Sequence, residues 1–230
     1  MDYLKLYRKN IEFRIDSIRE YNSFVEENIE KKLSGIQKKF EKAKIEYDEY
    51  KRENPNIEPE DDYMIGYFDD LSYDHSRIQD NVILKHRNSI IFQLYSLVES
   101  ELYSFAKHQN PGVNVFSIDD LRGNSIFEKF KTYISKTNKR LYNSIEEELE
   151  FFDKVRELRN FITHHSNAIR SNNTHYKKIS GFSSGNFELK ELGYVYKTNI
   201  ITYIIKLNNR KFIDTIFEKL DILFDKMYLE

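Results

Sequence analysis

The stretch Arg156-Glu157-Leu158-Arg159-Asn160-Phe161-Ile162-Thr163-His164-His165-Ser166-Asn167 holds the residues with the most chemical potential in this chain. Arg159 is followed by a polar residue, Asn160, and four positions after that by His164, with His165 at the next spacing. An arginine offers a planar, always-charged fork that fits a phosphate. An imidazole with a pKa near neutrality can take or give a proton at pH 7. RNA carries its own nucleophile in the 2′-hydroxyl, so such a set needs no metal to break a phosphodiester. His164 would take the 2′-hydroxyl proton or protonate the leaving 5′-oxygen, and Arg159 would hold the phosphate as charge develops. Asn160 would orient the imidazole or hold a phosphate oxygen. The products of that chemistry are a 2′,3′-cyclic phosphate and a 5′-hydroxyl.

Spacing alone carries little weight, because about one chance Arg-x(4–6)-His pair is expected in a chain of this length. Arg170 and His175 form such a pair on a Ser/Asn-rich stretch with no helical framework, and they are read as noise. The plain alternative for His164 and His165 is a pair of cations at a helix end, where the negative end of the helix dipole favours them. Five residues at about 100° each put His164 some 140° around an ideal helix from Arg159. For both to reach one phosphate, the helix must end or bend near Thr163, or a second subunit must supply the partner.

Composition limits the other options. The 230 residues contain no cysteine, which excludes thiol catalysis, thiolate zinc sites and disulfides, and fits a reducing, cytoplasmic setting. Mean hydropathy of −0.69 and 32% charged residues argue against a membrane protein. The N-terminus, Met-Asp-Tyr-Leu-Lys, does not read as a secretory signal. A net charge of −2 argues against a strongly basic nucleic-acid coat, yet leaves room for local positive patches. Lys129, Lys131, Lys136, Lys139 and Arg140 before the motif, and Arg170, Lys177 and Lys178 after it, are candidate phosphate contacts. The carboxylates near Pro55 and Pro59 lack the spacing of a calcium loop, and neither a metal nor a cofactor is expected.

Few glycines and prolines, seven and three, favour helices. Apolar residues from Leu4 to Tyr50 recur almost entirely at steps of three and four, predicting a helix over about 3–52 that would be some 70 Å long, with Gly35 its one candidate kink. Residues 53–70 read as an acidic loop, and a second long helix is expected from about Tyr73 to His108, antiparallel to the first and ended by Pro111-Gly112. Ser117 and Asp120 suggest a short turn before a helix near 124–137. Ser144 is the expected cap of the motif helix, which runs to about 165. A β-hairpin over 176–198 turning at Ser-Ser-Gly-Asn 183–186, and a final helix capped by Asn199, complete the expected fold. The chain is thus read as one all-α, up-and-down bundle over 1–230, with 1–72 an elongated first helix and loop, and 73–230 the bundle core with a small hairpin before the last helix.

Arg159-Asn160-x-x-x-His164-His165 closing an amphipathic helix, after a long helix carrying Ile91-Phe92-Gln93-Leu94-Tyr95-Ser96-Leu97-Val98-Glu99-Ser100-Glu101-Leu102, resembles the HEPN superfamily of helical domains over roughly 73–228. The resemblance implies a dimeric, metal-independent endoribonuclease of a toxin–antitoxin or antiviral defence type, with Arg159, Asn160 and His164 meeting their counterparts across a shared cleft. It also implies that an acidic residue of an earlier helix approaches the motif, for which Glu99 is the candidate. A Tyr two residues after the His, which nucleotidyltransferase antitoxins modify in relatives, is replaced by Ser166, so an antitoxin or defence partner stays unidentified. The rival readings are a non-catalytic helical interaction or RNA-binding module and an antiparallel coiled-coil scaffold.

Overall fold

The computed structural model describes residues 3–56, 63–108, 116–123, 125–165, 167–207 and 209–229, and the chain is mostly helical with one small antiparallel sheet. It divides into two compact units, Glu20–His86 on one side and Met1–Arg19 with Arg87–Glu230 on the other. The first helix, α1 (Tyr3–Glu53), contributes to both and runs without interruption through Gly35.

In the Glu20–His86 unit, α1 pairs with α2 (Tyr63–Arg77) and a π-helical stretch, Ile78–Ile83. Ile29 and Ile36 cluster with Ile78 and Ile83, and Ala43 with Met64 and Leu71, so the paired segments run antiparallel. Phe68 joins them, stacked on Phe40 with ring centroids 6.2 Å apart. The π turn absorbs a five-residue step: Ile78 and Ile83 are both buried, which 3.6 residues per turn would not allow on one stripe. The expected acidic loop over 53–70 is therefore too long. Met64, Phe68 and Leu71 make a stripe that folds as helix, and Asp69 and Asp70 lie exposed on it. Glu58, Pro59, Glu60, Asp61 and Asp62 lie outside the described residues. The second long helix likewise starts ten residues before Tyr73 and is interrupted by the π stretch.

In the other unit, the start of α1 lies antiparallel to α3 (Leu84–His108). The Tyr7 hydroxyl donates to Ser104 Oγ at 3.1 Å, and Arg14 pairs with Glu101. Ser117 and Asp120 form a reciprocal capping box on a single 3₁₀ turn, and Ser125 caps α4 (Ile126–Thr137) by accepting from the Glu128 amide. Helix α5 (Lys139–His165) begins five residues before the expected cap. Asn138 Oδ1 accepts from the Leu141 amide at 3.0 Å, so Ser144 is interior and bonds back to the Leu141 carbonyl. Leu149, Phe152, Val155, Leu158 and Ile162 bury one face of α5, which packs against α4 and against α7 (Lys211–Tyr228); Leu94 and Val98 of α3, Phe130 of α4 and Leu220 and Phe224 of α7 are buried too.

The C-terminal third departs furthest from expectation. Tyr176–Ser183 is a helix, α6, because Ile179 and Phe182 bury together at a three-residue step, a helical period. Gly185, at φ 79°, turns the chain into β2 (Glu188–Tyr194). That strand pairs with β3 (Ile201–Lys206), a β-branched run mistaken for helix. Asn199 is therefore in the hairpin loop, and Asn209 Oδ1 meets the Lys211 amide at the start of α7. A third strand, β1 (Ala168–Arg170), completes the sheet in the order β1-β3-β2. Glu191 pairs with Tyr203 and Gly193, at φ 132°, with Thr202, so Leu192 is the extra residue of a bulge in β2.

Candidate functional site around the end of helix α5

Helix α5 carries its motif unbroken to His165. Asn167 then adopts the left-handed conformation (φ 66°), which asparagine tolerates, and turns the chain into β1. Its buried side chain accepts from Asn88 Nδ2 of α3 at 3.1 Å, and its carbonyl from the Ile205 amide at 2.8 Å. The helix end is thus pinned to both α3 and the sheet. No bend near Thr163 brings Arg159 and His164 together within one chain.

Arg159 is half-buried against α3. Its guanidinium carbon lies 5.8 Å from the Phe92 ring and 5.9 Å from the Tyr95 ring, both within cation–π range. Nη1 donates to Asn160 Oδ1 at 3.0 Å, while Nε is buried with no hydrogen-bond partner among the described residues. Asn160 therefore already touches one member of the motif, and on the helical wheel it stands about 40° from His164. Burial, and after it the Glu99 carboxylate one turn along α3, pushes the Tyr95 hydroxyl far above the usual phenol range. Glu99 and Arg159 thus approach the same tyrosine. Arg156, three residues before Arg159, is engaged by Asp153 at 2.9 Å, Glu157 at 3.3 Å and, across to α4, Glu128 at 3.8 Å.

His164 is exposed and bonds to no described side chain. His165, also exposed, stacks on Phe161 with centroids 4.5 Å apart and planes 21° from parallel. The basic candidates are dispersed. Lys129, Lys131 and Lys136 lie on α4, where Lys131 and Lys136 sit over Phe127 and Phe116. Lys139 and Arg140 begin α5 itself, roughly 30 Å along the axis from Arg159, too far to touch the same phosphate. Arg170 is exposed on β1, and Lys177 is exposed on α6. Lys178 pairs with Glu157 at 3.3 Å.

The residue that sequence reasoning set aside is His175. It immediately precedes α6, and its Nδ1 lies 3.2 Å from Glu157 Oε2. The Phe161 ring is 6.4 Å away, so His165 and His175 both border it. Burial alone would raise the Glu157 carboxyl, but the His175 hydrogen bond and the Lys178 and Arg156 cations outweigh it and hold the group below the usual carboxylate range. Reading Tyr176–Ser183 as helix was the one signal that would have given His175 a fixed frame.

Among the described residues, no group of three or more His, Asp or Glu side chains is placed to hold a metal ion, and no helix is long and apolar enough to cross a membrane. No protein-family model, curated protein or solved structure matches the chain.

Proposed function

We propose that the chain is a HEPN-like, metal-independent endoribonuclease of a toxin–antitoxin or defence type. In this reading Arg159 stabilises the developing phosphorane charge, His164 moves a proton and Asn160 holds the two in register. The observation that carries it is the Arg159 fork. It is held against Phe92 and Tyr95 and tied to Asn160, with a buried Nε that no described residue satisfies. Core packing alone has no need of such a donor, whereas a bound anion nearby makes use of the charge. Because α5 stays helical to His165, the reading requires a homodimer in which Arg159 of one protomer meets His164 of the other. RNA is the substrate, and an antitoxin or other defence protein is the expected partner.

A non-catalytic interaction module is the second reading. It is favoured by an apolar groove on the Glu20–His86 unit, lined by Phe24, Val25, Ile29, Ile36, Ile78 and Val82, in which Phe24 is 66% exposed. One experiment separates the two. The purified protein is incubated with RNA in excess chelator, and its mass is read by light scattering. Cleavage by a dimer, abolished in Arg159→Ala and His164→Ala, supports the ribonuclease; a strict monomer, or no cleavage, supports the module.

A further inference from the structure

Within the ribonuclease reading, on which this inference rests, we propose that His175 is the second catalytic imidazole, positioned by Glu157, and that it works with His164 of the same protomer on one phosphodiester. The backbone around His175 is fixed by its own hydrogen bonds. The Asn173 amide donates to the Arg170 carbonyl at 2.9 Å, the His175 amide to Asn173 Oδ1 at 2.8 Å, and the Ile179 amide to the His175 carbonyl at 3.0 Å. The ring is then aimed by the 3.2 Å contact of Nδ1 with Glu157. A carboxylate at Nδ1 selects the tautomer that leaves Nε2 as the working nitrogen and stabilises the imidazolium once it forms. The His175 side chain keeps 46% of its surface open, enough for a substrate to reach Nε2.

The helix geometry brings His164 to the same face. Glu157 and His164 are seven residues apart, so they differ by only about 20° around α5 and by about 10 Å along it. Side chains on a helix tilt toward its N-terminus, which leans His164 back toward Glu157 and its bound His175. Two imidazoles at the two ends of one phosphodiester can divide the proton work. One accepts the proton of the 2′-hydroxyl as O2′ bonds to phosphorus. The other gives a proton to O5′ as the P–O5′ bond breaks, leaving a 2′,3′-cyclic phosphate and a 5′-hydroxyl with protons and charge balanced. Among the described residues, the charged group that touches His175 is Glu157; Arg156 of α5 and Lys178 of α6 pair with that same carboxylate, and His165 borders the shared Phe161 ring. Glu157 touches the imidazole and not the substrate, so it is a positioning residue.

The test is the pH profile of kcat/KM for cleavage of an unstructured RNA oligonucleotide by the full chain. His175→Ala should lose a factor of about 10²–10⁴ with thermal unfolding unchanged, and the limb of the profile that its imidazole contributes should vanish. His175→Gln, which retains a hydrogen bond to Glu157 but cannot relay a proton, should be as inactive, and it serves where the alanine variant unfolds. Glu157→Gln should lower kcat while leaving KM nearly unchanged, and Glu157→Asp should restore part of the wild-type kcat. A structural ion pair would alter stability but leave the shape of the profile as it was. If the parent cleaves, His164→Ala is dead and both His175 variants cleave like the parent, His175 is not catalytic and this inference falls alone. If the parent itself leaves RNA intact, the ribonuclease reading and this inference fall together.

Discussion

Replacing Arg159 with methionine isolates the guanidinium from the packing of its stem. The losses are two cation–π contacts near the far edge of their range, about 0.5–1 kcal/mol each at a partly exposed site. To these is added one hydrogen bond to Asn160, about 0.5–1.5 kcal/mol net. Against them stands relief of the buried, unpartnered Nε, whose desolvation penalty is about 1–3 kcal/mol. The methionine keeps its apolar body on Phe92 and Tyr95 and fills most of the same volume. The opposing contributions nearly cancel, so Arg159→Met should leave the free energy of unfolding within about 1 kcal/mol of the parent. The urea midpoint reads this directly, with an unchanged m-value as the check that the same surface unfolds. Loss of a charge-stabilising donor should meanwhile reduce cleavage by a factor of about 10²–10³. Destabilisation beyond about 2 kcal/mol would mean that the arginine is there to hold α3 against α5, and the argument for a waiting anion site would be refuted.

Two further predictions concern buried carboxylates with unequal partners. Glu101 binds Arg14 through Oε1 but leaves Oε2 buried with no partner among the described residues, and burial, outweighing Arg14, raises its pKa. The folded state therefore binds this proton more tightly than the unfolded one, and stability falls as pH rises from the usual glutamate value toward the raised one. Glu101→Gln should flatten that limb of a stability-versus-pH curve, while an unchanged curve would assign it to other groups. Glu148 is engaged at both oxygens, by Lys226 at 2.8 Å and Lys219 at 3.7 Å. Lys226→Met should cost about 1–3 kcal/mol by urea denaturation, because Glu148 then keeps only the longer contact with Lys219, and the added Glu148→Met change should recover most of it by removing that poorly paired buried charge. Additive losses in the double variant would contradict this.

The helical framework was legible because its apolar stripes have a single period, and the stripe decides where each motif residue points. On α5 Phe152, Val155, Leu158 and Ile162 form the buried stripe, so Arg159, at the stripe's edge, is drawn half into the core against Tyr95. His164, about 160° from Ile162, is turned out to solvent. The divergence of Arg159 and His164 was therefore readable from spacing alone, and only the unbroken course of α5 to His165 had to be learned from the structure. His175 was illegible for the opposite reason. Its position depends on Glu157, eighteen residues away, and on a short helix whose two buried residues, Ile179 and Phe182, make a single three-residue step, too little to set a period without their neighbours. The β-branched run of β3 misled in the same way, since Ile201 to Ile205 becomes a strand only where β1 and β2 offer edges to pair with. Local periodicity thus positions what lies on one long helix, and tertiary pairing positions what crosses between elements. The Glu157–His175 contact belongs to the second kind, so the imidazole discarded as a coincidence of spacing is aimed by a partner on another element, while His164, found from the motif, is oriented by the helix alone.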